Sequence, residues 1–143
     1  MPSFKLGLDA GDHVIVEING RSDERDDWIA ATISVRAGSF AASFDATLVT
    51  CDFPLFRRQL EELYDTLAGA ATFDTIERQI KITCTGNDRG GISVDGIARD
   101  RVCDGNELRF QFDTDQTFLP TIITKLKQIE SEFPNKIHRA FPQ

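Results

Sequence analysis

The sequence predicts an α+β fold: a curved, mainly antiparallel sheet of about six or seven strands with two helices packed on one side. Three observations carry this. Short runs alternate apolar and polar residues with period two, as in Val14, Val16, Ile18 and in Ile29, Ala31, Ile33, Val35. Two longer segments repeat apolar residues at spacings of three and four, which places them on one helical face. Brief turn-rich connections separate the strand runs, and a brief connection joins antiparallel neighbours, not parallel ones.

In chain order, Phe4, Leu6 and Leu8 alternate with Lys5 and Gly7 in a short strand or a tethered terminus, and Asp9–Asp12 (DAGD) is turn chemistry. Val14, Val16 and Ile18 follow on one face, with His13, Glu17 and Asn19 on the other; Ile15 breaks this pattern. The polar stretch NGRSDERDD leads to Trp28–Arg36, whose Ile29, Ala31, Ile33 and Val35 share a face. Ala37-Gly38-Ser39 is a tight turn into Phe40, Ala42, Phe44, Ala46 and Leu48, so the pair reads as an antiparallel hairpin.

The stretch 52–69, DFPLFRRQLEELYDTLAG, then organises the chain. Phe53, Phe56, Leu60, Leu63 and Leu67 form its apolar stripe. Asp52 suits the N-cap, Pro54 the first turn, and Gly69 the left-handed closing position. AATFDT reads as a crossing segment. Ile80, Ile82 and Cys84 alternate next, GNDRGG turns, and Ile92 and Val94 share a face until Gly96, where a bulge is expected with the face switching to Ile97. Leu108, Phe110 and Phe112 form the last strand face, and a second helix spans Thr117–Phe133 on Leu119, Ile122, Leu126, Ile129 and Phe133. The halves share a plan of strands followed by a helix with an early proline. No linker or composition shift divides the chain, so residues 1–143 read as a single α+β domain.

Composition narrows the function classes. The formal net charge is −7, from 23 acidic and 16 basic residues, which disfavours a phosphate-backbone partner and points away from nucleic acid. Cys51, Cys84 and Cys103 form no CxxC or Cys/His spacing, so free thiols in a reducing compartment are expected, with no zinc site and no disulfide framework. The N-terminus lacks a secretory pattern, and no run approaches the roughly 20 apolar residues of a membrane span. A cytoplasmic protein without a membrane partner is the resulting expectation.

Candidate sites follow from polar clusters. Asp23, Glu24, Asp26 and Asp27 sit beside Trp28, a pairing suited to a basic protein partner: carboxylates attract it and an indole anchors it. The same acids lack the spacing of a calcium loop, so no metal is assigned. GNDRGG lacks the lysine and following helix of a phosphate loop. His13 and His138 show no triad or ligand spacing, and neither GxSxG nor HExxH occurs, so no catalytic residue and no cofactor are assigned. Asp115, near a helix start, reads as a capping residue. Should the sheet's concave face hold a pocket, His13, Asp45, Arg109 and Asp113 are its candidate polar groups.

The order of features in VIVEINGRSDERDDWIAATISVRAGSFAASFDATLVTCDFPLFRRQLEELYDTLAG and ELRFQFDTDQTFLPTIITKLKQIESEFP resembles small bacterial proteins grouped with the WapI-type immunity proteins of contact-dependent toxin systems, and related uncharacterised families. The likeness spans roughly residues 14–134 and rests on element pattern, with no motif residue to carry over. It implies a cytoplasmic, non-enzymatic antitoxin that neutralises a toxin domain by tight binding. The acidic balance and the cluster beside Trp28 agree with that reading. A small-ligand carrier or weak hydrolase using the concave face is the alternative, and a structural or oligomerisation module a third; a deep polar pocket or a large exposed apolar patch would mark them.

Overall fold

Alternating apolar residues become strands wherever one face can be buried, and the computed structural model, which describes residues 1–23 and 26–135, contains eight of them. The elements are β1 (Ser3–Gly7), β2 (His13–Arg21), β3 (Trp28–Ala37), β4 (Phe40–Val49), α1 (Asp52–Thr66), β5 (Ala68–Asp74), β6 (Ile80–Asn87), β7 (Gly91–Arg99), β8 (Glu107–Asp115), a 3-10 turn (Gln116–Phe118) and α2 (Leu119–Glu132). The fold is α+β. Its strands form two four-stranded antiparallel sheets, ordered β1-β2-β3-β4 and β5-β6-β7-β8. The chain therefore runs twice through four strands and a helix.

Two sheets replace the single expected one because α1 intervenes and β4 does not pair onward with β5. The outer edge of β4 is met instead by the buried Gln79 amide. Its Nε2 donates to the Asp45 carbonyl at 3.2 Å, and its Oε1 accepts from the Thr47 amide at 3.4 Å. The same Nε2 reaches the Arg99 carbonyl at 3.4 Å, so one side chain joins both sheets.

Strand β5 arises where a crossing segment was expected. Only Ala71 and Phe73 of this strand are buried, and Ala and Gly have low strand preference. Pairing from Ala68↔Asn87 to Asp74↔Lys81 nonetheless holds it against β6. The bulge expected at Gly96 is absent. Strand β7 pairs with β6 and β8 without a shift, and Gly96 lies directly opposite Phe110. A Cβ there would sit 2.0 Å from the Phe110 ring, so glycine makes room for an aromatic ring within a regular strand.

The helix ends also differ from expectation. Cys51 is the N-cap of α1, and Asp52, inside the first turn, turns back to accept the Val49 amide at 2.9 Å. The helix stops at Thr66, where Leu67 adopts φ 61° and its amide reaches the Leu63 carbonyl at 2.7 Å. Gly69 lies within β5 instead. At the second helix Asp115 caps as expected, accepting from the Thr117 amide at 2.9 Å and from its hydroxyl; α2 itself begins at Leu119 after the 3-10 turn.

A single cluster of buried side chains draws on both sheets and both helices. At its centre Phe4 of β1, Phe53 and Phe56 of α1 and Phe73 of β5 pack with centroids 5.3 to 6.5 Å apart. The Phe4 and Phe73 rings meet edge to face at 5.5 Å and 86°, a favoured aromatic geometry that couples the sheets. All three cysteines are free: Cys84 is buried, Cys51 half-buried and Cys103 exposed in the turn between β7 and β8. Burial pushes the Cys84 thiol up to about 12, which makes it inert.

Candidate functional site

The connection between β2 and β3 carries the acidic cluster and is organised from beneath by Arg21. The bulge between Ile18 and Gly20 re-aims the end of β2, leaving Arg21 opposite Ile29. The Arg21 guanidinium donates through Nη1 to the Asp26 carbonyl at 2.7 Å and lies 3.6 Å from the Asp27 carboxylate. Through Nη2 it donates to the Pro134 carbonyl, and it stands 5.9 Å over the Phe133 ring. The end of α2 thus closes over the base of this loop. Thr50, whose hydroxyl pairs with Asn135, donates its amide to the Asp27 carbonyl at 2.9 Å.

These bonds sort the acids. Asp27 is only 2% exposed and faces the interior toward Arg21. Asp26 is half-buried and accepts the Trp28 amide at 3.0 Å through its carboxylate, an Asx turn that starts β3. Asp23 is exposed, with its carbonyl accepting the Asp26 amide at 3.2 Å. Glu24 lies outside the described residues, as does His138. Trp28 is half-buried, opposite Val49. Asp23 and Trp28 are therefore presented at one end of the first sheet, while Asp27 braces them from within. Sequence reasoning missed the role of Arg21; its signal was a cation at the entrance of an acid-rich loop.

More negative charge lies below this end. The Asp52 carboxyl is pushed up to about 6, chiefly by burial, with Asp74 adding repulsion and the Val49 amide opposing both. Burial also raises the Cys51 thiol, with further contributions from Asp52 and Asp27.

The other polar candidates are divided between the sheets. On the first, His13 meets the Leu8 carbonyl at 2.9 Å through Nδ1. Asp45 ends an outward-facing chain in which Asn19 donates to Thr32 at 3.0 Å and Thr32 to Asp45 at 3.3 Å. On the second, Asp113 accepts from Ser93 at 3.3 Å, and Arg109 pairs with Glu107 at 3.4 Å. Arg109 also borders an open depression of about 440 Å³ with Lys81, Thr83, Asp95 and Gln111. Two sheets thus hold His13 and Asp45 apart from Arg109 and Asp113. Among the described residues no three His, Cys, Asp or Glu side chains are grouped to hold a metal ion, and no helix is long and apolar enough to cross a membrane.

A family model described as the immunity protein WapI-like family matches residues 5–134. Among solved structures, the chain is similar to one described as crystal structures of Trypanosoma bruciei MRP1/MRP2, at a TM-score of 0.52 and 12% identity over 94% of this chain and 88% of that one. At that identity the likeness concerns the fold alone. No curated protein sequence matches the chain.

Proposed function

The chain belongs to the WapI-like immunity protein family, and from that premise we propose that it is a cytoplasmic, non-enzymatic antitoxin that silences a toxin domain by tight binding. The observation that carries this reading is the family match across residues 5–134. The net charge of −7 supports a basic partner, since complementary fields speed capture and reject wrong partners.

The contact surface we assign is the acidic end of the first sheet. Asp23, Glu24 and Asp26 would steer the partner, Trp28 would supply the apolar anchor, and Asp27 would hold the loop through Arg21. Charges at the rim act mainly on association, whereas a buried indole acts on dissociation.

The test starts from the reading frames neighbouring this gene: a toxin-like domain encoded there is the expected partner. Co-expression should restore growth and yield a stable complex. Replacing Asp23, Glu24 and Asp26 with their amides should slow association about tenfold at low salt and less at high salt. Trp28→Ala should mainly raise the dissociation rate. Failure of the parent protein to bind or protect overturns the antitoxin reading. Unchanged kinetics in both variants removes this end of the sheet from the interface.

A further inference from the structure

We propose that the groove between β1 and α2 is a binding site for a single-chain anionic amphiphile, an apolar stem ending in a carboxylate. Ile15 supplies the first observation. It breaks the polar pattern on the outward face of β2, between His13 and Glu17, and is half-buried there. Phe118, in the 3-10 turn before α2, is likewise half-buried. Both line one groove of about 410 Å³, together with the buried Phe4 and Ile122. That volume falls in the range of small-ligand sites, which bury apolar stems and use few polar groups for orientation.

The second observation is charge. Lys5 and Lys125 line the same groove, and Asp9 is the one acid beside them. Lys5 reaches Asp9 at 2.8 Å, whereas no carboxylate among the described residues lies within ion-pair distance of Lys125. The groove therefore carries a local excess of positive charge in a chain of net charge −7. An apolar floor beneath an available ammonium selects a ligand with both features. A neutral alkane leaves Lys125 unused, and a small polyanion leaves the floor wet. The groove lies on β1, β2 and α2, away from the loop assigned to the toxin, so the site stands independently of the antitoxin reading.

The experiment is calorimetric titration of the full chain with octanoate, decanoate and dodecanoate below their micellar concentrations, with decanol as the uncharged control. Each added methylene should tighten binding about fourfold until the groove is full. Decanoate should bind about tenfold tighter than decanol, and Lys125→Ala should bring decanoate down to the level of decanol. Thr121→Phe, at an exposed position lining the groove, should abolish binding of both. A circular dichroism melt checks that each variant folds; if Thr121→Phe does not, the Lys125→Ala comparison decides alone. The proposal is overturned by any of these results: no saturable binding, affinity independent of chain length, decanol binding as tightly as decanoate, or a folded Lys125→Ala that binds decanoate like the parent.

Discussion

Arg57 of α1 and Glu130 of α2 form a two-pronged ion pair, with Nε to Oε2 at 2.6 Å and Nη2 to Oε1 at 3.1 Å. Both side chains are about one-fifth exposed. The pair fastens together the helices that close the two halves of the chain. The Glu130 hydrogen bond is the main reason the Arg57 guanidinium is held above its ordinary value, with Glu61 adding less.

Glu130→Ala should therefore lower stability by about 1–2 kcal/mol, as expected for a paired, partly shielded, charge-assisted bond. Glu61→Ala, which removes the pair with Arg57 within α1 and a longer, more exposed one at 3.6 Å to Lys127 of α2, should cost less, about 0.3–1 kcal/mol. Urea unfolding midpoints check both. Equal losses would mean that the two-pronged Glu130 pair adds nothing beyond ordinary surface pairs.

Asp52 predicts a pH dependence. Its carboxyl rises from 3.8 to about 6 on folding, so between those values the folded chain holds a proton that the unfolded chain has released. Stability contributed by that proton is complete below pH 3.8 and is lost as pH rises through about 6. Asp52→Asn keeps a carbonyl acceptor for the Val49 amide and removes the buried charge. It should raise stability at pH 7 by at most about 3 kcal/mol and flatten the slope between pH 4 and 6. Thermal melts across that window decide, and parallel curves for variant and parent would refute the assignment.

Gly96→Ala should cost about 1–3 kcal/mol, because the new methyl would meet the Phe110 ring, which is itself confined in the core. Combining it with Phe110→Leu should recover part of that loss. A double-mutant cycle measures the coupling. Additive costs would show that the ring does not set the requirement for glycine.

Gln79→Ala should destabilise the protein by about 1–2 kcal/mol, since it strips partners from β4 and from Arg99 together. Hydrogen exchange should accelerate most at Thr47, whose amide loses its acceptor. Unaltered protection there would show that the edge of β4 is held by other means.

The strands β2, β3, β4, β6, β7 and β8 were legible because each repeats its apolar residues at a period that no helix can satisfy. Both helices were legible for the converse reason. Strand β5 was not, because its identity comes from β6 beside it and α1 above it, and two inward side chains are too few to announce it. Phe40 looked like a core residue by its place in the alternation, yet lies 67% exposed, because burial along that face of β4 fades from Leu48 and Ala46 toward the turn. At the candidate site, sequence located the acids and Trp28. It could not distinguish Asp27, turned inward to Arg21, from Asp23, turned outward, since both directions are open to any loop carboxylate.

Taken alone, then, the sequence determined the class, the order of the elements other than β5, most of the faces to be buried and the excess of negative charge. All of these follow from local periodicity and composition. Tertiary structure decided that the strands divide into two sheets, that Gln79 bridges them, that Arg57 grips Glu130, and that Ile15 and Phe118 share a groove. Those outcomes depend on residues far apart in the chain meeting at a few ångströms. Such meetings are set by how the buried surfaces fit together, and no local pattern records them.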